Sequence, residues 1–261
     1  MNQTKFIGIV SGKGGVGKTT TSINLATAFT IFGRDVMVLD ANLHTPNISL
    51  FLGMPRLPVT VHHAINGKNK LSESVYMHPS GLKIIPGSIS MPDIENIDIK
   101  NLSNIIQDLN GKTELVLLDM GSFFSDNMKI INHLDWLIFV TTPDLPCVTD
   151  TLRAIKAAEK YNANVYGVVV NMARHDNLEL QVKNIETFLG TKILGTIPYD
   201  ESVRESQFIK HPVVYSHPNT KSTIAFKKLA SHLVGDNYEE EIKINHSSNN
   251  SFKNIIKSLL K

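Results

Sequence analysis

The stretch GKGGVGKTT at residues 12–20, placed directly after the apolar run FIGIVS at 6–11, constrains this chain more than any other. Gly12, Lys13, Gly14, Gly15, Val16, Gly17, Lys18 and Thr19 fit the pattern G-x-x-x-x-G-K-[ST]. Glycines at those positions let successive backbone N–H groups turn inward around an anion without side-chain clashes. A helix starting where the loop ends adds partial positive charge to the same point. Such a cradle works only between a strand that anchors it and a helix that caps it. The chain must therefore supply both, and a sheet to hold them.

The remaining sequence supplies that sheet. Short runs rich in Val, Ile and Leu recur at 6–10, 35–40, 82–87, 114–119, 136–142, 164–170 and 192–198. Most lack polar/apolar alternation, which marks strands buried on both faces. Between them, 18–32, 100–109, 147–161, 178–189 and 221–234 carry helical spacing. Strands alternating with helices predict an α/β fold, a mostly parallel twisted sheet of about seven or eight strands with helices on both faces. Residues 1–234 read as one domain, since neither a repeat nor a linker interrupts them. Residues 235–251, GDNYEEEIKINHSSNNS, are polar and read as a flexible tether to a final segment, 252–261.

Composition narrows the functional classes. A net charge of +2 gives no general reason to expect nucleic-acid binding. The single cysteine, Cys147, excludes an intramolecular disulfide and a Cys-rich metal or cluster site within one chain. His62 and His63 are the only adjacent histidines, and neighbours on a helix or strand point apart, so no metal site is expected there. The short apolar run after MNQTK is no secretory leader, and no run nears the roughly 20 residues of a spanning helix, so the expected location is cytoplasmic.

Within the loop, Lys18 is expected at the β- and γ-phosphates of a nucleotide and the Thr19 hydroxyl on Mg²⁺, with Thr20 completing the loop. Lys13 is surplus to that account. On its residues, KGGVGKTT resembles the deviant Walker A signature of the MinD/ParA superfamily of ATPases, most of all its MinD branch. The resemblance extends through LDANLHTPNISLFLG (39–53) as switch I, LVLLDMGS (115–122) as Walker B and switch II, VVVNMARH (168–175) as the adenine-side strand end, and IPYDESVRESQFIKHPVV (197–214).

The resemblance implies ATP and Mg²⁺ as cofactors and a homodimer with ATP sandwiched at its interface, Lys13 reaching the partner's phosphates. It implies Asp119 as the Walker B acid holding Mg²⁺ through water, Asp40 near the same shell with Asn47 as a weaker candidate, and Gly121 as the switch II glycine. Asn171 and Pro198 would flank the adenine. Three departures stand out. Asp-Met-Gly-Ser replaces the usual Asp-Ser-Pro-Ala-Gly around Gly121, and Lys210-His211 stands where a Gly often precedes Pro212. Asp40-Ala41-Asn42 replaces Asp-x-Asp, so Asn42 would hold the attacking water without accepting its proton. Slow ATP hydrolysis is expected, a switch with little hydrolysis being the alternative.

In FKNIIKSLLK, Phe252, Ile255, Ile256, Leu259 and Leu260 recur at helical spacing over an arc of roughly 140°, flanked by lysines. That pattern suits an amphipathic helix lying in an anionic membrane interface, and it resembles the membrane-targeting tail of MinD proteins. The expectation is an ATPase whose ATP-driven dimerisation attaches it reversibly to the cytoplasmic face of the membrane. It would there position cell-division or polar machinery with an unidentified protein regulator. A flagellum- or pole-placement ATPase and a ParA-like DNA-partition ATPase are the alternatives, DNA being the less favoured partner.

Overall fold

The computed structural model describes residues 3–97, 101–123, 126–174 and 176–235, with only the backbone of 126–129. The tether from 236 onward and the apolar stripe of Phe252, Ile255, Ile256, Leu259 and Leu260 lie outside the described residues.

Eight strands form one sheet: β1 (Lys5–Ser11), β2 (Val36–Asp40), β3 (Tyr76–Met77), β4 (Lys83–Ile85), β5 (Leu115–Ser122), β6 (Trp136–Thr141), β7 (Val165–Ala173) and β8 (Ile193–Pro198). Their order is β3-β4-β2-β5-β1-β6-β7-β8. All pairs are parallel except β3 with β4. The seven strands expected from apolar runs are all present, and the eighth is the two-residue antiparallel edge β3. The central strands are buried almost throughout, β2 along its whole length, which is why their sequences show no alternation.

Among the described residues ten α-helices accompany the sheet: α1 (Lys18–Ile31), α2 (Ile48–Phe51), α3 (Val61–Ile65), α4 (Met91–Glu95), α5 (Leu102–Leu109), α6 (Leu145–Lys160), α7 (Val182–Leu189), α8 (Glu201–Phe208), α9 (Val213–Ser216) and α10 (Lys221–Val234). Helix α7 starts at Val182, so residues 178–181, expected as its first turn, lie outside it. The sheet divides the apolar interior in two. Phe6, Val10, Leu118, Phe139 and Val170 face a cluster completed by α5, α6 and α7. Ile7, Ile9, Val38, Leu117 and Ile138 face one completed by α1 and α10.

Helix α1 departs from ordinary amphipathic patterning, because every residue from Thr20 to Phe29 is buried. It runs between the sheet, α9 and α10. Two of its interior polar groups turn back onto the helix, Thr27 Oγ1 donating to the Ile23 carbonyl at 2.7 Å and Asn24 Nδ2 to the Thr20 carbonyl at 2.8 Å, while the buried Thr21 hydroxyl has no partner among the described residues. Buried hydroxyls and amides satisfied in this way avoid the cost of an unpaired polar group.

Candidate nucleotide site

Strand β1 lies at the centre of the sheet between β5 and β6. The loop after it therefore opens at the C-terminal edge, where the strand order departs in two directions, the usual place for ligands in α/β sheets. Gly15 and Gly17 hold φ of 85° and 91°, in the left-handed region that favours glycine. A Cβ on Gly12 would collide with the Asp150 backbone in α6, and one on Gly17 with Asn171 Nδ2. Gly14 meets nothing within 4 Å. Gly17 caps α1, and no acidic residue lies in that helix's first turn, so its dipole is open to an anion.

Residues far apart in sequence converge here. Thr19 Oγ1 donates to Asp119 Oδ2 at 2.6 Å, and Ser22 Oγ to Asp119 Oδ1 at 3.1 Å. Asp40 and Asp119 are register partners across β2 and β5, and both are fully buried in the core edge. Burial together with the neighbouring Asp119 carboxylate pushes Asp40 up to about 8. Burial raises Asp119 to about 6, against the opposing pull of Thr19, Ser22 and Lys18. Two carboxyls held side by side out of water, next to a hydroxyl, form a donor set that suits a hard dication. Thr19 and Asp119, with Asp40 behind, are thus the residues that fit Mg²⁺.

Asp40 also has structural work. Its Oδ2 accepts the N–H groups of Asn47 at 2.9 Å and Ile48 at 3.0 Å, and Oδ1 that of Asn42 at 3.3 Å. It thereby pins the start of α2, the helix within switch I. The Asn47 side chain points elsewhere, donating to the Thr45 carbonyl at 2.9 Å. The Asn42 amide is engaged at both ends by Thr45, donating to its carbonyl at 2.7 Å and accepting from its hydroxyl at 3.0 Å. Gly121 sits buried within β5.

The two loop lysines behave differently. Lys18 Nζ turns inward to Ser11 Oγ at 3.0 Å, and Ser11 in turn donates to the Lys13 carbonyl at 2.5 Å. Desolvation lowers the Lys18 pKa, with Asp119 opposing. The Lys13 side chain is exposed at the rim.

Beside the loop lies a cleft of about 210 Å³ whose lining includes Thr20, Asn171, Pro198, Tyr199, Val203 and Phe226. Asn171 Nδ2 donates to the Val16 carbonyl at 2.9 Å, so this side chain ties β7 to the loop as it borders the cleft. Arg174 lies 3.9 Å over the Tyr199 ring nearby. A larger cavity, about 670 Å³, opens between α2, α3 and α4. Neither cavity is lined by Lys18, Thr19 or Asp119. The candidate site is the loop itself, where those groups converge, and the cleft of about 210 Å³ adjoins it through Thr20 and Asn171. Ser11, Ser22, Tyr199 and the Asp150 backbone were not legible as site residues. Only Ser22 left a trace, standing three positions after Thr19 on the same helical face.

Lys210 takes φ 63°, a left-handed non-glycine residue. Its side chain lies against Gly53, so the segment after α2 packs on the α8–α9 turn.

A glycine loop between strand and helix, an inward lysine, and a threonine opening that helix bonded to an aspartate within the adjacent strand β5 define a P-loop NTPase. The model of the ParA family, described as "NUBPL iron-transfer P-loop NTPase", matches residues 2–234. An uncharacterised ATP-binding protein of Methanocaldococcus jannaschii is 32% identical over 91% of this chain and 90% of that protein. Septum site-determining protein MinD of Pyrococcus horikoshii, solved with Mg-ADP, superposes with a TM-score of 0.83 at 31% identity, over 88% of this chain and 96% of that one. Antiactivator FleN of Pseudomonas aeruginosa is 29% identical over 88% of this chain and 86% of its own. The chain belongs to the ParA family of P-loop NTPases, among its MinD/ParA-type ATPases.

Proposed function

We propose that this protein is a MinD-like ATPase that dimerises when ATP is bound and attaches reversibly to the cytoplasmic face of the membrane through residues 252–261. It thereby positions cell-division or polar machinery under the control of a protein regulator. The observation that carries this reading is the division of labour between the lysines. Lys18 is folded into its own cradle on Ser11, while Lys13 is exposed near Asp144, from where it reaches a neighbour's site. Supplying a phosphate-neutralising cation from a second chain links ATP occupancy to association.

Bound Mg²⁺ would supply charge neutralisation at the nucleotide's phosphates, with Thr19 and Asp119 the residues that would hold it. Lys18 and the loop N–H groups orient those phosphates. Asn42 positions the attacking water after releasing Thr45, and without an acid to take the proton turnover is slow. The iron-transfer role named in the family model's description lacks ligands here: the chain's one cysteine, Cys147, is buried, and burial raises its thiol pKa.

Sedimentation with ATP or ADP, with and without anionic vesicles, tests the reading. Wild type is expected as a dimer with ATP only and to pellet with vesicles only in that state, and Lys13→Ala as a monomer throughout. Normal ATP dimerisation by Lys13→Ala, or wild type left in the supernatant, overturns it. Asn42→Asp is expected to raise turnover, and an unchanged rate shows that Asn42 does not position the water.

A further inference from the structure

The edge of the sheet opposite the phosphate loop carries a ladder that nucleotide chemistry does not use. Lys5 Nζ lies 3.9 Å over the Trp136 ring. Trp136 stacks on Tyr166 with centroids 4.0 Å apart and planes at 19°. Lys192 Nζ lies 4.1 Å over the Tyr166 ring. These residues stand at or just before the starts of β1, β6, β7 and β8, so all four share the N-terminal edge.

Helix α10 delivers the rest of the chain to this edge. Ser222, in its first turn, donates its N–H to Asp200 Oδ2 just beyond the C-terminal end of β8. Leu229 lies against Gly195 in mid-strand, so the helix runs antiparallel to β8. At 1.5 Å per residue, Gly235, its C-cap, comes level with Lys192. Val234, Trp136 and Tyr166 pack against the same core cluster. Gly235, the last described residue, therefore lies beside the ladder.

The carboxylates at this edge are engaged by other donors, Glu186 Oε1 accepting the Ile193 N–H at 3.0 Å beside Lys192. Asp35 and Glu114 at this edge are paired with Lys83 and Arg34, and Asp135 Oδ2 accepts the Phe6 N–H at 2.7 Å. Among the described residues neither Lys5 nor Lys192 has a carboxylate partner. Ile31, at the end of α1, is 47% exposed, on a helix that runs from the loop edge to this one.

We infer that the Lys5–Trp136–Tyr166–Lys192 ladder is a second membrane contact, seating the domain on anionic lipid headgroups when the tail inserts. This rests on the membrane reading of residues 252–261. An ammonium lying on a ring keeps its N–H donors for phosphate oxygens, while Trp and Tyr edges suit headgroup depth. A short amphipathic helix alone holds a membrane only marginally. A basic face at its root adds the second attachment and fixes which way the nucleotide edge points.

Trp136 is the chain's only tryptophan, so its fluorescence reads this contact directly. Full-length protein with Mg-ATP is mixed with vesicles of phosphatidylcholine and phosphatidylglycerol that contain brominated lipid. Trp136 emission is expected to be quenched, more strongly by bromines high on the acyl chain than by bromines near its end. Lys5→Glu/Lys192→Glu is expected to bind these vesicles at least tenfold more weakly, with ATP turnover in their absence unchanged. Removing 252–261 is expected to abolish pelleting. Wild type that pellets with Trp136 unquenched overturns the ladder and leaves the tail reading standing. Wild type that does not pellet at all overturns both, as does pelleting with DNA in place of vesicles.

Discussion

Gly14 and Gly17 lie in one loop and tolerate a side chain oppositely. Gly17 combines φ 91° with a Cβ position already taken by Asn171 Nδ2, whereas Gly14 faces open space. Left-handed backbone costs an L-residue about 1–2 kcal/mol, and displacing Asn171 breaks its bond to the Val16 carbonyl. Gly17→Ala is expected to lose about 2–3 kcal/mol in nucleotide-free urea unfolding and at least about tenfold in nucleotide affinity by titration. Gly14→Ala is expected to stay within about 0.5 kcal/mol of wild type. The glycines were legible because the loop pattern states their purpose, Lys18 and Thr19 followed from the same chemistry, and Asp119 came only through the family resemblance. Ser11 was not, because a serine at a strand end carries no signature until Lys18 is seen resting on it.

Among the elements, α2 depends on a single carboxyl. Asp40 accepts three backbone N–H groups from Asn42, Asn47 and Ile48, and an unsatisfied buried donor costs about 1–3 kcal/mol. Asp40→Ala is thus expected to destabilise by about 2–3 kcal/mol and to loosen switch I, read as faster amide exchange at Asn47 and Ile48. Asp40→Asn keeps one acceptor and removes the repulsion with Asp119. Because the folded pKa of Asp40 is raised to about 8, the unfolded chain releases its proton first as pH rises. Nucleotide-free wild type is therefore expected to lose stability between about pH 4 and 8, and Asp40→Asn to lose less, by on the order of 1 kcal/mol or more in unfolding titrations. Elements of this size escape sequence reading. The long helices and buried strands announced themselves by period and run length, but α2, α3, α4 and α9 span one turn or little more and β3 only two residues, too short to show a period. Helix α8 was hidden differently, its segment being legible as a motif before it was legible as a helix.

At the scale of the whole molecule, the antiparallel edge is joined to the C-terminal helices by rings. His78, just after β3, is 4% exposed. Its Nδ1 accepts the Ser80 N–H at 3.1 Å, which makes Nε2 the protonated nitrogen that donates to His211 Nδ1 at 3.0 Å. Tyr215 stands edge-on to His78, with ring centroids 5.4 Å apart. Protonating His78 would set an N–H against the Ser80 N–H, and burial together with His211 lowers its pKa to about 4. The sign follows from linkage: between pH 6.5 and 4 the unfolded histidine binds a proton that the folded one refuses, so stability falls as pH drops through that window. Discounted for partial solvent screening, the loss from pH 7 to 5 is about 1 kcal/mol for this residue. His78→Gln keeps an acceptor for Ser80 and cannot titrate. Urea unfolding of the two proteins at pH 7 and pH 5 is expected to show the variant losing about 1 kcal/mol less than wild type. Taking the difference at each pH cancels the opposite trend of Asp40, which both proteins share. Equal losses would mean that His78 is not the group resisting protonation, and that the joint between the β3–β4 edge and α9 is held by ring packing alone.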